Sequence, residues 1–281
     1  MSGLHDFETP GSVSLQIRLP SGRVVVTTAD EPRTIVELVP LGRRGADALN
    51  EIEVRLDERR GGHVVTVEQT ARFRLGPIQI SWDDAIEVRV TCPRGASLEL
   101  ASASADLRVD GELGDVSVKT ASGDVDLAVV AGALEVKSAS GDVSVATVGS
   151  TASLTTISGE IHVGVLQGAL TARAVSGDVR VRSVRARLSL STTSGDIELD
   201  AVESGEVRVQ TISGDARIAV ARGTRVWIDA ASVSGDLHSE LGVADEPDGQ
   251  GADGPAPVVP LHVKTVSGDV AIVRAAERAS A

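Results

Sequence analysis

The stretch Ala121-Ser122-Gly123-Asp124-Val125 and its copy Ala139-Ser140-Gly141-Asp142-Val143, eighteen residues later, decide the fold of this chain. The four-residue phrase Ser-Gly-Asp-(Val/Ile/Leu) recurs, with small variations. A degenerate copy, Ser104-Ala105-Asp106-Leu107, lies one period upstream. The serines of the full phrase are Ser122, Ser140, Ser158, Ser176 and Ser194, then Ser213, Ser234 and Ser267 at wider gaps. Such a short period is typical of solenoids, because a single unit must stack on its neighbours to bury its apolar face.

Apolar residues within each unit follow the period of a β-strand. Counted from the serine, positions 4 and 6 are apolar, as in Val125 and Leu127, and so are positions 13 and 15, as in Leu134 and Val136. The pattern predicts an all-β, single-stranded β-solenoid (a β-helix) whose 18-residue coils stack in parallel about 4.8 Å apart. Left-handed solenoids usually show a six-residue apolar beat, which is absent here, so we expect a right-handed coil.

The spacing of the phrase divides the chain. Residues 1–100 lack the phrase but contain strand-like runs, which predicts either irregular first coils or an N-terminal β cap. Residues 101–275 form the predicted solenoid, and residues 276–281 a tail. The last unit contains an acidic insertion rich in proline and glycine at about 243–260, which we expect to be a disordered loop.

Composition narrows the functions open to the chain. A net charge of −13 opposes nucleic-acid binding, and no apolar run approaches the roughly 20 residues that span a bilayer. The first residues lack the basic and apolar regions of a secretory signal, which predicts a cytoplasmic protein, with a surface location open through a non-classical route. The single cysteine, Cys92, rules out an intrachain disulfide framework, and we expect it in the core.

The phrase itself allows two interpretations. Its glycine suits a corner that needs positive φ or a close backbone approach, while its serine and aspartate can bind local backbone donors. The alternative is a cation-binding column of stacked carboxylates, with Asp124, Asp142, Asp178 and Asp196 as the candidate metal ligands. Calcium-binding nonapeptides require a Gly-Gly-x-Gly-x-Asp pattern every nine residues, which is absent. Corner capping is therefore our expectation, and the sequence predicts no cofactor and no catalytic residue.

Several conspicuous side chains receive structural interpretations. An arginine-rich stretch separates into columns of alternating sign when the chain is folded on its period, as in Arg180, Glu198 and Arg217, which favours a lattice of ion pairs over an anion site. His162 and His238 are four units apart, too far to share a metal. Trp227 is expected to pack in the core or at a corner.

The leading segments and the repeats together resemble a known family. Phe7-Glu8-Thr9-Pro10-Gly11, Leu19-Pro20-Ser21-Gly22-Arg23-Val24 and the segment from Val88 to Gly95 are similar to the first coils of a bacterial domain-of-unknown-function family of β-strand-repeat proteins described as proposed adhesins. The chain more loosely resembles the bactofilin-like cytoskeletal solenoids, which polymerise end to end. The resemblance implies a β-solenoid, a surface that binds other molecules, and no catalytic residues.

Three functions follow as hypotheses. The first is a non-catalytic scaffold or adhesin-like protein that binds a protein partner, or itself, through the faces or ends of the solenoid. The second is a carbohydrate-active β-helix enzyme, which would need unpaired carboxylates in a groove. The third is a repeat protein stabilised by calcium.

Overall fold

The computed structural model of the protein describes residues 3–41, 49–59, 61–69, 85–241 and 258–276, and its regular elements in these ranges are 23 β-strands. The chain divides into unit 1, residues 1–150, and unit 2, residues 151–281. Unit 1 contains β1 (Gly3–Glu8), β2 (Ser12–Ala29), β3 (Arg33–Pro40), β4 (Ile52–Arg59), β5 (Gly62–Gln69), β6 (Ile86–Pro93), β7 (Ser97–Leu113), β8 (Val116–Lys119), β9 (Val125–Val130), β10 (Leu134–Lys137) and β11 (Val143–Val148). Unit 2 contains β12 (Ala152–Thr156), β13 (Ile161–Leu166), β14 (Leu170–Ala174), β15 (Val179–Val184), β16 (Leu188–Ser194), β17 (Ile197–Val202), β18 (Val207–Ser213), β19 (Ala216–Val220), β20 (Arg225–Ser234), β21 (Leu237–Ser239), β22 (Val258–Ser267) and β23 (Val270–Arg274).

Successive copies of the phrase stack in parallel, in the predicted register. In unit 1, β11 pairs with β9 so that Val143 lies beside Val125. In unit 2, β15 pairs with β13 on one side and β17 on the other, which places Val179 between Ile161 and Ile197. Each coil carries two strands, and equivalent strands of neighbouring coils form two rows. The all-β solenoid fold is therefore confirmed.

The first strands of unit 1 do not stack in sequence order. The first half of β2 pairs with β5 and β7, and the second half pairs with β6 and β7, always in parallel. The coil made by β2 therefore lies between the coil of β5 and β6 and the coil of β7. Three antiparallel pairings extend beyond it, β4 with β5, β3 with β6, and β1 with β3. Residues before 100 thus provide both inner coils and antiparallel edge strands.

Aliphatic side chains fill the interior of every regular coil. In the coil of β16 and β17 these are Leu188, Leu190, Ile197, Leu199 and Val202, all at most 1% exposed. Four of them occupy the predicted positions 4, 6, 13 and 15, and Val202 adds position 9, which the period-two pattern did not reveal. Burying each such side chain stabilises the fold by roughly 1.5–3 kcal/mol.

The last two coils of unit 2 are exchanged relative to sequence order. β22 pairs with β18 on one side and with β20 on the other, and β23 likewise lies between β19 and β21. The coil of residues 258–274 is therefore inserted between two coils that precede it in the chain. This corrects the expectation that each copy of the phrase stacks directly on the one before it.

The coil of β20 and β21 consequently ends the stack of unit 2. Among the described strands, β20 pairs only with β22 and β21 only with β23. The inward-facing residues of β20 are only half-buried, whereas Leu261 and Val263 of β22 are fully buried. Within the part of the chain that the structure describes, the terminal coil thus presents one unpaired edge and an incompletely covered interior.

Two further expectations concern the insertion and the absence of a membrane-spanning segment. Most of the insertion predicted at about 243–260 lies outside the described residues, and its last three residues, 258–260, begin β22. In the described ranges, no helical segment has the length and apolar character needed to cross a membrane.

Candidate interaction surface

The aspartates of the phrase link neighbouring coils through their side chains. The backbone N–H of six aspartates donates to Oδ1 of the aspartate in the adjacent coil, as Asp142 does to Asp124 at 3.0 Å and Asp196 to Asp178 at 2.8 Å. In unit 2 the series continues at 2.8 Å from Asp215 to Asp196, from Asp269 to Asp215 and from Asp236 to Asp269. The carboxylates therefore satisfy backbone donors of the next coil, rather than the local donors that the sequence suggested.

The four candidate metal ligands fall into two neighbouring pairs. Asp124 lies beside Asp142 in unit 1, and Asp178 beside Asp196 in unit 2, each pair joined by the hydrogen bond just described. Among the residues that the structure describes, no group of three or more histidine, cysteine, aspartate or glutamate side chains converges as a metal site. In the first pair Oδ1 of Asp124 already accepts a backbone amide, and in the second pair Oδ1 of both Asp178 and Asp196 does so.

A close backbone approach explains the glycine of the phrase. A Cβ added at Gly177 would lie 2.0 Å from the carbonyl oxygen of Gly159 in the preceding coil. Real Cβ atoms do not approach backbone oxygens so closely, so only glycine fits the corner while coils remain at strand spacing. The corner is consequently a narrow ridge where backbones of successive coils are in direct contact.

The hydroxyl that caps the corner belongs to a residue two positions before the phrase. The backbone N–H of Gly123 donates to Oγ1 of Thr120 at 2.9 Å, and Gly141 donates likewise to Ser138. Sequence analysis assigned this role to the serine of the phrase, and that assignment is wrong. Its side chain is exposed at Ser122 and Ser140, whereas Thr120 and Ser138 are buried.

Later coils of unit 2 have a different corner. β16 and β18 run on as strands to the serine of the phrase, and the N–H of Gly214 donates to the carbonyl of Ser267 in the next coil. The equivalent capping hydroxyls then lose their donor. Oγ1 is buried without a hydrogen-bond partner in Thr192, Thr211 and Thr265.

An exposed row of β-branched residues runs along the same corner of unit 2. Its members immediately precede the serine of the phrase, and we call them the apolar corner row. In coil order they are Ile157, Val175, Ile212, Val266 and Val233, with side chains 46–82% exposed. Thr193, also exposed, occupies this position in the remaining coil, between Val175 and Ile212. Sequence analysis missed this row, because the alternation of buried and exposed residues breaks at a corner.

A column of carboxylates runs beside the apolar corner row, just after the corner in each coil. We call it the acidic column. It consists of the exposed residues Glu160, Asp178, Asp196, Asp215, Asp269 and Asp236, each three positions after a member of the row or after Thr193. At a coil spacing of about 4.8 Å, the six negative charges extend over about 24 Å. One corner of unit 2 therefore combines an apolar line with a negatively charged line.

The arginine-rich stretch forms the predicted lattice of ion pairs. Glu198 lies between Arg180, at 3.3 Å, and Arg217, at 3.7 Å. Arg185 binds Glu203 at 2.8 Å, and this hydrogen bond and charge raise the pKa of the guanidinium. One detail differs, since Asp200 pairs with Arg180 at 3.1 Å instead of with Arg182, its neighbour by position.

A charged depression of about 440 Å³ lies beside the ion pairs of Arg180. Arg180, Arg182 and Arg217 line it together with Glu198 and Asp200, and alanines of β17, β19 and the segment after β23 form the rest. Arg180 forms ion pairs with both Glu198 and Asp200, so these two carboxylates are not the unpaired acidic groups that glycoside hydrolysis requires.

The other residues considered in the sequence analysis, Cys92, His162 and Trp227, lie on three different strands. Cys92 is fully buried in β6, as predicted, and desolvation raises the pKa of its thiol to about 12. His162 lies near Glu160, at 3.9 Å. The prediction for Trp227 is wrong, because its side chain is 55% exposed on the outer face of β20, where it contacts His262 edge-on with ring centroids 5.3 Å apart. It is exposed because strand alternation directs it away from the interior.

Solved structures of low sequence identity align with nearly the whole chain. A proposed lipid-binding protein from Parabacteroides distasonis aligns with 13% identity over 97% of each chain, with a TM-score of 0.49. A proposed adhesin from the same organism aligns with 13% identity over 97% of this chain and 96% of its own, with a TM-score of 0.42. A proposed adhesin from Bacteroides fragilis aligns with 12% identity over 97% of each chain, with a TM-score of 0.33.

The family assignment comes from sequence. No curated protein matches the chain. A family profile described as Toastrack DUF4097 matches residues 14–273, which include the antiparallel strands β3 and β4, nearly all of β2 and every copy of the phrase. The chain belongs to this Toastrack family, whose domain is one of unknown function.

Proposed function

We propose that the protein is a non-catalytic β-solenoid scaffold that binds protein partners, another copy of itself included. The observation that carries this proposal is the open terminal coil of unit 2. Its strands β20 and β21 have no partner on their outer side among the described strands. Two large apolar side chains of the same coil, Trp227 and Leu237, are more than half exposed.

An unpaired strand edge is a template for another strand. Its free N–H and C=O groups can pair with an added chain, and most proteins block such edges with charges, proline or a covering element. The exposed positions of β20 and β21 include apolar residues, which mark interaction sites when they occur together. This end of unit 2 is therefore suited to bind a strand of a protein partner.

Two observations support a function without catalysis. Cys92 is the only cysteine, and a thiol with a pKa of about 12 remains protonated at neutral pH and is a poor nucleophile. The acidic groups of the charged depression are held in ion pairs with arginine. A carbohydrate-active enzyme could use that depression, so hydrolysis there provides the competing outcome of the test.

The test compares three forms of the full chain. Light scattering over a wide concentration range measures self-association, and capture from lysate of the source cells, followed by titration of the purified partner, measures protein binding. The double variant Trp227→Lys/Leu237→Lys blocks the open coil, while the control Ser144→Lys places one lysine at an exposed position of β11. We expect the double variant to lose association or partner binding and Ser144→Lys to retain both.

Two results would overturn the proposal. One is the absence of any saturable partner together with a monomer at every concentration. The other is hydrolysis of a polysaccharide by the unmodified chain that is abolished by Asp200→Asn, because that result would identify the charged depression as an active site.

A further inference from the structure

The corners of unit 1 form without large apolar residues before the serine of the phrase. In unit 1, the same position before the serine of the phrase is occupied by alanine, at Ala103, Ala121 and Ala139. The corner there retains the capping hydroxyls, and its aspartates form the same hydrogen bonds between coils. Gly159 donates to Oγ1 of Thr156 at 3.0 Å in the same way, so alanine would also fit the corner at Ile157, and the isoleucine there adds exposed apolar area. The later members of the row add further exposed apolar area at corners of the second type. Such a concentration of exposed apolar side chains is typical of a binding surface.

The acidic column determines which partners can approach the row. Because each Oδ1 in the series Asp178, Asp196, Asp215 and Asp269 accepts a backbone hydrogen bond, these carboxylates are held in position. A line of fixed negative charges attracts cations and repels nucleic acid, anionic lipid and a second copy of the same corner. The occupant that fits both lines is a protein segment with an apolar row and a basic row.

We propose that the apolar corner row and the acidic column together bind a cationic, amphipathic segment of a protein partner. This inference rests on the proposed function, since it identifies the chemistry of a partner and a second surface that binds it. The segment places its apolar residues against Ile157, Val175, Ile212, Val266 and Val233, and its lysine or arginine side chains against the carboxylates. The area buried determines affinity, and the charges determine orientation and the rate of association.

The first test uses a synthetic amphipathic peptide with the full chain. The probe is a fluorescent peptide made of repeats of Leu-Lys-Lys-Leu-Leu-Lys-Leu, and its counterpart carries glutamate in place of every lysine. We expect saturable binding of the lysine peptide, weakened several-fold as salt rises, and no binding of the glutamate peptide. Equal binding of both peptides, or binding insensitive to salt, would contradict a role for the acidic column.

Variants then locate the binding. Val175→Ser/Ile212→Ser/Val266→Ser is expected to weaken binding by about tenfold or more, because it removes three exposed apolar contacts. Asp215→Asn/Asp269→Asn keeps the oxygens that accept the backbone bonds and is expected to reduce both affinity and its dependence on salt. Thr193→Val completes the row and is expected to tighten binding, a result that mere loss of stability cannot produce.

Matched controls use exposed apolar residues away from the corner. Leu4 in β1 and Val258 at the start of β22 have exposures similar to those of the row, so Leu4→Ser/Val258→Ser should bind the peptide like the unmodified chain. If this control weakens binding as much as the triple variant, or if Thr193→Val has no effect, the assignment to the corner is wrong. Circular dichroism of every variant verifies that it is folded.

Other occupants give distinguishable results. Binding of the unmodified chain to phosphatidylcholine vesicles that is lost in the triple variant would identify a lipid surface, and concentration-dependent association lost in the triple variant would identify a second copy. Either result overturns the proposal. If partner binding instead disappears in Trp227→Lys/Leu237→Lys and persists in the triple variant, the interaction scaffold survives and only the corner site is refuted.

Discussion

At the scale of single residues, one hydroxyl position has opposite environments in different coils. Thr120 accepts a hydrogen bond from the N–H of Gly123, whereas the equivalent Oγ1 of Thr211 is buried without a partner. A buried donor left without its acceptor costs about 1–3 kcal/mol, while removal of an unpartnered hydroxyl costs little or stabilises. The same chemical substitution should therefore have different effects at these two sites.

We predict that Thr120→Val lowers the free energy of unfolding by about 1–3 kcal/mol, because it leaves the Gly123 N–H without an acceptor. Thr211→Val keeps the shape of the side chain and should leave stability unchanged or raise it by up to about 1 kcal/mol. Urea denaturation of the two variants, followed by circular dichroism, measures both. A loss of similar size at Thr211 would show that its hydroxyl has a partner in solution.

Cys92 gives a prediction that depends on pH. Burial raises the pKa of its thiol from 9.0 to about 12, so the folded state retains the proton more tightly than the unfolded state. The resulting stabilisation is fully present below pH 9 and is lost as the pH rises towards 12. We expect the unmodified chain to lose stability over this interval relative to Cys92→Val.

At pH 8, a disulfide reagent should label Cys92 only in denaturant, and rapid labelling of the native protein would contradict its burial.

At the scale of elements, the inserted coil of residues 258–274 should be more rigid than the coil that ends unit 2. β22 is paired on both sides, and its inward-facing residues Val259, Leu261 and Val263 are buried. Among the described strands, β20 pairs on one side only, and its inward-facing residues are half-buried. Backbone protection follows pairing and burial, regardless of distance along the sequence from the end of the chain.

We predict that amide protons of β22 exchange more slowly than those of β20, by about tenfold or more if the local opening energies differ by about 1.4 kcal/mol. Hydrogen exchange followed by mass spectrometry on peptides covering residues 225–239 and 258–274 measures the difference. If the two peptides exchange alike, the terminal coil is covered or the order of coils is wrong.

At the scale of the whole molecule, the sequence predicted the stacking but not the order of the coils. Val125 and Val143 could be paired because strand periodicity and the 18-residue period agree at those positions. The neighbour of Ser213 could not be chosen, because Ser234 and Ser267 begin chemically equivalent phrases. Only the pairing of Ser213 with Ser267 resolves that choice.

The candidate surfaces were also only partly predictable. The ion pairs of Arg180 and Arg185 followed from the period, since alternating charges one coil apart must face each other. The exposure of Ile212 did not follow, because the side-chain direction at a corner depends on backbone geometry that strand alternation does not describe. Trp227 was misassigned because tryptophan side chains are highly buried on average. In β20, strand alternation places this one on the outer face.

The response to calcium tests the whole stack. Each aspartate pair already uses a carboxylate oxygen to accept a backbone amide, so a cation would have to displace or share that bond. We predict that the melting temperature is the same in EDTA and in millimolar calcium. A rise in calcium would instead show preferential binding to the native state and would favour the cation-binding column.

The inserted coil of residues 258–274 also has a consequence for biosynthesis. A ribosome produces residues 207–239 before it produces the strands that finally separate β18 from β20. During that interval the nascent chain has two phrases, at Ser213 and Ser234, that can pair with each other in a register equivalent to the native one. Completion of unit 2 then requires either that this early pairing is delayed or that it opens again to admit the later strands. Translation speed and chaperones that hold strand edges apart should therefore influence the yield of native protein.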